Sequence, residues 1–276
     1  MTDEGPIREA ASMIGGAKKI VAFTGAGVSE ESGIPTFRDP GGLWERFDPN
    51  ELGGGDIFSN LFAGAGTPSG SLEFMSEILS VLKEATPNPG HQALADLESM
   101  GFSISVITQN IDNLHREGGN SRVIEVHGNI FRLVCLNCGE KQMLAREELF
   151  RLGDELVGFL EAGDFESLIK LASRCGCGGI CRPDVVGFGE PVQDMPQAIE
   201  EAKTCDLLLI LGTSGAVYPA AYLPGHAKKA GAKIIEINAT QCCFQEMADI
   251  RIIAKTGDAL PLIVERVREL RRGIQQ

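Results

Sequence analysis

KIVAFTGAGVSEESG, residues 19–33, carries the strongest fold signal in the chain. Its first six residues are mostly apolar and show no polar alternation, which suits a strand covered on both faces in a parallel sheet. The turn Gly25-Ala26-Gly27 then lets the backbone approach a pyrophosphate and presents amides to it ahead of a helix. The usual dinucleotide fingerprint places its third glycine where Glu30 stands, and no ribose-binding acid follows at the next strand end, so a plain dehydrogenase is disfavoured. Val- and Ile-rich runs recur at 103–108, 123–127, 206–211, 233–238 and 250–253, separated in several cases by helical patterns at 90–100, 195–203, 219–230 and 258–272. Such alternation predicts an α/β fold, a doubly wound parallel sheet of Rossmann-like type.

Composition sets the outer bounds. At roughly 150 residues per domain, 276 residues admit one large domain with a satellite. Apolar residues at 43% and charged residues at 23% exclude a disordered, collagenous or coiled-coil chain. The formal charge of −13 opposes a nucleic-acid-coating role and attracts basic, lysine-bearing segments. Residues 1–17 lack a signal-peptide pattern, and the strongest apolar run, 207–211, is too short to span a bilayer. A cytoplasmic, reducing compartment is the expectation, with no membrane association. There, clustered cysteines hold metal rather than pair with each other.

The strand pattern stops between Asn129 and Pro183, where five of the eight cysteines bracket a polar helical stretch. A small inserted domain is therefore expected at 129–183, interrupting a larger one made of 1–128 and 184–276. A glycine-punctured excursion at 40–86, with a helix from Ser71 to Lys83, is of the kind that sits over a ligand site.

Thr108, Gln109, Asn110, Ile111 and Asp112 emerge at a strand's carboxyl end, where open α/β sheets bind ligands. Asn and Gln can grip ribose hydroxyls, and Asp can accept from a carboxamide NH2. His127 ends another strand run, with a pKa range suited to a general base. Phe37 and Arg38 follow the first turn, where an aromatic ring can cover a flat heterocycle and a guanidinium can neutralise phosphate. Taken one at a time, a tight turn without ligand, a capping Asp112 or a structural His127 accounts equally for these residues. His91, His115 and His226 sit in helical patterns and read as structural. Cys135 and Cys138 form a CxxC, and Cys175, Cys177 and Cys181 follow. Two cysteine pairs in such a chain point to a tetrahedral zinc site held by Cys135, Cys138, Cys175 and Cys177, with Cys181 as the substitute ligand because the second pair reads CxC. Four thiolates leave no open position, so the metal is structural. Cys205, Cys242 and Cys243 read as small buried or surface residues.

The runs GAGVSEESGIPTFR (25–38), TQNID (108–112), VIEVHG (123–128), the cysteine pairs, RPDVVGFGE (182–190), GTS (212–214) and EIN (236–238) together resemble the sirtuin family of NAD-dependent protein deacylases. The resemblance implies that the amide oxygen of an acylated lysine attacks the nicotinamide ribose, nicotinamide departs, and His127 helps a ribose hydroxyl attack the resulting imidate. The acyl group ends on ADP-ribose. His127 and Asn110 are then the catalytic residues. Gly25, Ala26, Gly27, Ser29, Thr36, Phe37, Arg38, Trp44, Gln109, Asn110, Ile111 and Asp112 bind the cofactor, as do Gly212, Thr213, Ser214, Asn238, Ala239, Thr256 and Gly257. An acyl-lysine peptide lies along Val186, Gly187, Phe188, Gly189, Glu190 and Val217 as an added strand. Gly187 stands where the family commonly carries a large side chain, which opens the tunnel wall. Members that remove succinyl or malonyl groups carry Tyr and Arg at positions that fall here on Met75 and Ile78, so uncharged acyl groups are expected. A monomer is expected. A protein mono-ADP-ribosyltransferase and a non-catalytic NAD-sensing zinc module are the rival readings.

Overall fold

In the computed structural model, residues 4–37, 41–48, 70–187 and 189–274 are described. Arg38, Phe188 and, within the 40–86 excursion, residue 40 and residues 49–69 lie outside them. Six strands form one parallel sheet: β1 (Lys19–Thr24), β2 (Ser103–Thr108) and β3 (Val123–Glu125), then, later in the chain, Leu207–Leu211, Lys233–Asn238 and Ile250–Ile253. The last three are β7, β8 and β9, and the order across the sheet is β3-β2-β1-β7-β8-β9. Alternate side chains feed two cores. Ile20, Ala22, Leu207 and Leu209 face one side; Val21, Phe23, Leu208 and Ile210 face the other. The first side is covered by α1 (Glu4–Gly16), by a helix at Pro89–Ser99 and by the last helix, Thr256–Ile274, through residues such as Ile14, Leu94 and Ile263. Met195–Thr204 and Leu223–Lys229 cover the second through Ala198, Ala202, Leu223 and Ala227. With α2 at Ser71–Glu84, these helices are α3 (Pro89–Ser99), α7 (Met195–Thr204), α8 (Leu223–Lys229) and α9 (Thr256–Ile274). Among the described residues no helix is long and apolar enough to cross a membrane.

Two sequence expectations need correcting. No regular helix follows the Gly25 turn within the described residues; two short 3-10 turns, Ala26–Val28 and Glu30–Ser32, stand there instead, ended by Gly33 at φ 86° and Pro35. The strand pattern also does not stop at Asn129. A second, antiparallel sheet of β4 (Gly128–Cys135), β5 (Lys141–Met143) and β6 (Cys181–Val185) has the order β5-β4-β6. It carries two helices, α5 (Arg146–Ala162) and α6 (Phe165–Ala172), between β5 and β6, and α4 (Leu114–Glu117) precedes β3 in the larger unit. The small sheet escapes a search for apolar runs because β4 is buried on alternate residues and β5 is exposed throughout.

The two sheets meet in a buried ionic seam. Arg132 on β4 donates to Glu125 on β3 at 2.8 Å and to Asp184 on β6 at 2.5 Å. Asp184 also accepts from Gln193 and pairs with Lys141, and Glu125 from Arg116 and Asn129. Breaking one member of such a network leaves a buried charge uncompensated. At the crossing point Gly128 takes φ 82°, and a Cβ there would lie 1.9 Å from the Asp184 carbonyl oxygen. Gly128→Ala combines left-handed strain with a backbone clash, so a loss of roughly 3 kcal/mol or more is expected in urea unfolding. A variant as stable as the parent would contradict this packing.

Candidate active site

The carboxyl ends of β1 and β7 diverge at the point where strand order reverses, the usual position for a ligand in an open α/β sheet. Their turns touch backbone to backbone. Gly25 and Gly27 donate to the Leu211 and Gly212 carbonyls at 3.1 and 2.9 Å. A Cβ on Gly27 would fall 2.9 Å from the Gly212 oxygen, and one on Gly212, at φ 54°, would fall 2.4 Å from the Val28 nitrogen. These glycines are therefore required by packing of the two turns, and their amides are committed to it. Ala26, whose amide heads the first 3-10 turn, faces the adjoining cavity.

That cavity, about 480 Å³, is lined at one end by Ala26, Ser29, Phe37, Trp44, Gln109, Asn110, Ile111, Asp112 and His127. Asp112 is buried, accepting from the Ser29 hydroxyl at 2.7 Å and the Leu114 amide at 2.9 Å. Burial raises its pKa, opposed by those two donors. The Asn110 NH2 donates to the Gly25 carbonyl at 3.1 Å and to Ser29 at 3.0 Å, which leaves its carbonyl oxygen as the group able to engage a ligand. His127 Nδ1 lies 2.9 Å from the Gln109 carbonyl oxygen. A carbonyl only accepts, so Nδ1 carries the proton and Nε2 holds the lone pair in the neutral ring. Burial lowers the pKa of His127, partly offset by that bond, and favours the neutral form. Phe37 and Trp44 stand 5.0 Å apart as a tilted aromatic pair, continued by Phe74 at 6.1 Å from Trp44.

Behind Asp112, His91 and His115 are buried with ring centroids 4.7 Å apart. Burial holds His91 down at about 4 and His115 well below its ordinary value, so both stay neutral. Asn88, which caps α3, orders this region, its NH2 reaching the Val28 carbonyl and Ser32. Neither Asn88 nor the seam residues Arg132 and Asp184 emerged from the sequence; a Pro-Asn-Pro step and charges alternating along a strand were the available signals.

The opposite rim is the segment after β6. The Val186 amide donates to the His127 carbonyl at 2.9 Å, which leaves the Val186 carbonyl available. Glu190 pairs with Arg182 and accepts from the Gly187 amide at 3.0 Å, so its carboxylate is spent on holding the loop. Val186, Gly187, Gly189, Glu190 and Val217 all line the cavity. Farther along the sheet, Thr213 donates its amide to Asn238 Oδ1 and accepts from Gln109, while Asn238 Nδ2 turns to Glu236. Both polar atoms of the Asn238 side chain are thus used in holding the β7 turn. Thr36 is buried, and Ser214 and Ala239 are exposed beside these turns. Thr256 is buried against Gly90, and Gly257 gives its amide to Glu31 at 2.8 Å.

In the small unit the sulfur atoms of Cys135, Cys138, Cys175 and Cys177 all lie within 4.8 Å of one another. Cys135 and Cys177 are 3.6 Å apart, Cys138 and Cys175 3.5 Å. Zn–S bonds of about 2.3 Å in a tetrahedron place sulfurs about 3.8 Å apart, so an all-thiol zinc site fits this donor set. Gly179 gives it room, since a Cβ there would approach Cys135 Sγ to 2.6 Å. Cys181 stands outside the group, against the apolar cluster of the small unit.

The Sir2 family model matches residues 25–219. An NAD-dependent protein deacylase of Desulfosudis oleivorans is 47% identical over 99% of this chain and 100% of its own. A Sir2 homolog solved as its NAD complex superposes with a TM-score of 0.75 at 33% identity, covering 97% of this chain and 94% of that one. Sir2Af2 bound to a myristoylated histone peptide superposes with a TM-score of 0.63 at 37% identity, covering 98% of this chain and 100% of that one. The chain belongs to the Sir2 family.

Proposed function

We propose that this chain is an NAD-dependent protein-lysine deacylase that moves an acyl group from lysine to ADP-ribose and releases nicotinamide. The observation that carries the reading is the convergence of His127, Asn110 and Asp112 on one end of a largely apolar cavity whose opposite rim is formed by Val186, Gly187, Gly189, Glu190 and Val217. Binding alone has no use for a base held in a single tautomer. NAD supplies an anomeric carbon whose bond to nicotinamide breaks as the acyl oxygen joins it.

The protein's part is positioning and proton transfer. Asp112, with the Ile111 backbone, holds the carboxamide so that the leaving ring is oriented. The Asn110 carbonyl oxygen accepts from a ribose hydroxyl. Phe37 and Trp44 cover that end and exclude water while positive charge develops. His127 Nε2 takes a proton from a ribose hydroxyl, the step that lets this hydroxyl receive the acyl group. The Val186 carbonyl accepts the N–H of the acyl-lysine amide, and the peptide lies between the Gly187–Glu190 loop and Val217. The remaining cofactor contacts follow the sequence: Gly25, Gly27, Thr36 and Arg38 with Gly212, Thr213, Ser214, Asn238, Ala239, Thr256 and Gly257. Two units, 1–128 with 184–276 and the inserted 129–183, provide the two walls of this cleft. Phe188 belongs to the peptide wall on the sequence reading.

Met75 and Ile78 line the cavity, and the nearby Glu77 is paired with Arg46. A dicarboxylic acyl group would bring its carboxylate into an apolar wall with no free cation among the described lining residues. Uncharged acyl groups are therefore the preferred substrates.

His127→Ala is expected to lower acyl transfer from an acetyl-lysine peptide by about 10²- to 10⁴-fold, while nicotinamide release into exchange with labelled nicotinamide persists; full turnover would overturn the assignment. Because His127 is held below its ordinary value of 6.5, the neutral base survives into mildly acidic solution. The acid limb of kcat/KM should accordingly fall below pH 6.5 and vanish in the alanine variant. On matched peptides, removal of succinyl at a rate equal to or above that of acetyl would refute the apolar-wall argument. Metal analysis should find one zinc per chain, lost in Cys175→Ser and retained in Cys181→Ser. Its removal by chelation should lower Tm and abolish turnover together.

A further inference from the structure

Six of the eight cysteines are accounted for by their surroundings. Four sulfurs cluster in the small unit, Cys181 lies against its apolar cluster, and Cys205 is buried with its thiol donating to the Ala202 carbonyl. The other two, Cys242 and Cys243, are neighbours in the chain. Cys242 is buried and Cys243 is exposed.

The buried thiol has a carboxylate for its partner. It donates to Glu236 Oε1 at 3.0 Å, and the Glu236 side chain is wholly buried. Oε1 also accepts from Asn238 Nδ2 at 3.2 Å, whereas Oε2 accepts no hydrogen bond among the described residues and faces Arg251 Nε at 3.7 Å. A buried carboxylate with an unused oxygen beside a thiol is a ready proton acceptor. Burial, reinforced by that carboxylate, pushes Cys242 up to about 12, so its sulfur keeps its proton until a reaction draws it off.

Two routes tie this pair to the turn after β7. The Cys243 amide donates to the Ser214 carbonyl at 3.0 Å, and a Cβ on Gly215 would come 3.2 Å from Cys243 Cβ. Glu236 holds Asn238, whose Oδ1 accepts from the Thr213 amide at 2.8 Å. Thr213 and Ser214 thus depend on where the Cys242 sulfur and the following amide point.

We propose that Cys242 and Cys243 are a redox modification site, a dithiol that hydrogen peroxide closes to a disulfide, loosening the Thr213-Ser214 turn and weakening NAD binding; the effect on NAD rests on the deacylase reading. The Cys243 sulfur attacks a peroxide oxygen, the O–O bond breaks, and the hydroxide released takes the thiol proton, leaving water and a sulfenic acid. The Cys242 sulfur then attacks the Cys243 sulfur and breaks its S–O bond, while the Cys242 proton passes through Glu236 to the departing hydroxide as a second water. Two thiols are oxidised to one disulfide, and one peroxide is reduced to two waters. Consecutive Cα atoms stand about 3.8 Å apart, closer than disulfides ordinarily span, so the bond is strained and readily reduced. One sulfur now points at Glu236 and the other lies at the surface, so joining them draws Cys242 from Glu236 or turns the amide that holds Ser214.

The test treats the whole chain with hydrogen peroxide at doses that leave its zinc content unchanged. Mass spectrometry of the fragment holding residues 242 and 243 should show the loss of two hydrogens, reversed by dithiothreitol. NAD affinity, measured by calorimetry, should fall by about tenfold and recover on reduction. Cys243→Ser should bind NAD as the reduced parent does, before and after peroxide. Cys242→Ser should stop at the sulfenic acid, trapped on Cys243 by dimedone. Absence of the disulfide in the peroxide-treated parent, or a loss of affinity in Cys243→Ser equal to that of the parent, overturns the site. A disulfide that forms with NAD affinity unchanged overturns its link to the turn. If the disulfide forms but the reduced chain binds no NAD, the dithiol stands and the deacylase reading falls.

Discussion

The chain leaves the large sheet and enters the small one at Gly128, in a space where no side chain fits against the Asp184 carbonyl. On one side of that glycine, His127 is held by the Gln109 carbonyl; on the other, the Val186 amide closes on the His127 carbonyl. The imidazole and the peptide-facing edge are thus parts of one joint, locked by the Glu125–Arg132–Asp184 chain of ion pairs. The desolvation of three charges is offset only because each is multiply bonded, which makes the joint intolerant of partial change. The cavity runs along the same seam, so its walls inherit their positions from it.

At the inner end the constraint is of a different kind. Ser29 stands between Asn110 and Asp112, accepting from one and donating to the other, and so sets which atoms of each remain for a ligand. The buried histidines behind it stay neutral because burial outweighs any gain from charging them. One consequence is a pH-dependent cost: the unfolded chain binds protons below about 6.5 that His91 refuses in the folded state down to about 4, so stability declines as pH falls through that window.

Much of this was legible in the sequence because parallel strands covered on both faces advertise themselves as apolar runs, and all six appear within a residue or two of their expected bounds. The cysteine spacing likewise led to four sulfurs that do cluster. Other features were hidden for physical reasons. β4 and β6 are half-buried strands whose charged members, Arg132 and Asp184, look like surface residues until the two sheets are brought together. The tight turn at Gly25 and Gly27 was legible, while the bonds of their amides to the β7 turn, a partner nearly two hundred residues away, were not. The bonds by which Glu190 and Asn238 hold their loops, to Gly187 and Glu236, are likewise announced by no motif. The apolar cavity has no motif at all, since its walls come from α2, α5 and α6 and exist only after packing.

The fold, the tautomer of His127 and the apolar approach to it all lead to one chemical claim, that the acyl group passes to ADP-ribose. Mass spectrometry of the small products from an acyl-lysine peptide and NAD tests it most directly. The account predicts acylated ADP-ribose and free nicotinamide in equal amounts, matched by deacylated peptide. Free carboxylic acid without nicotinamide, or ADP-ribose found attached to protein with the acyl-lysine untouched, would contradict it.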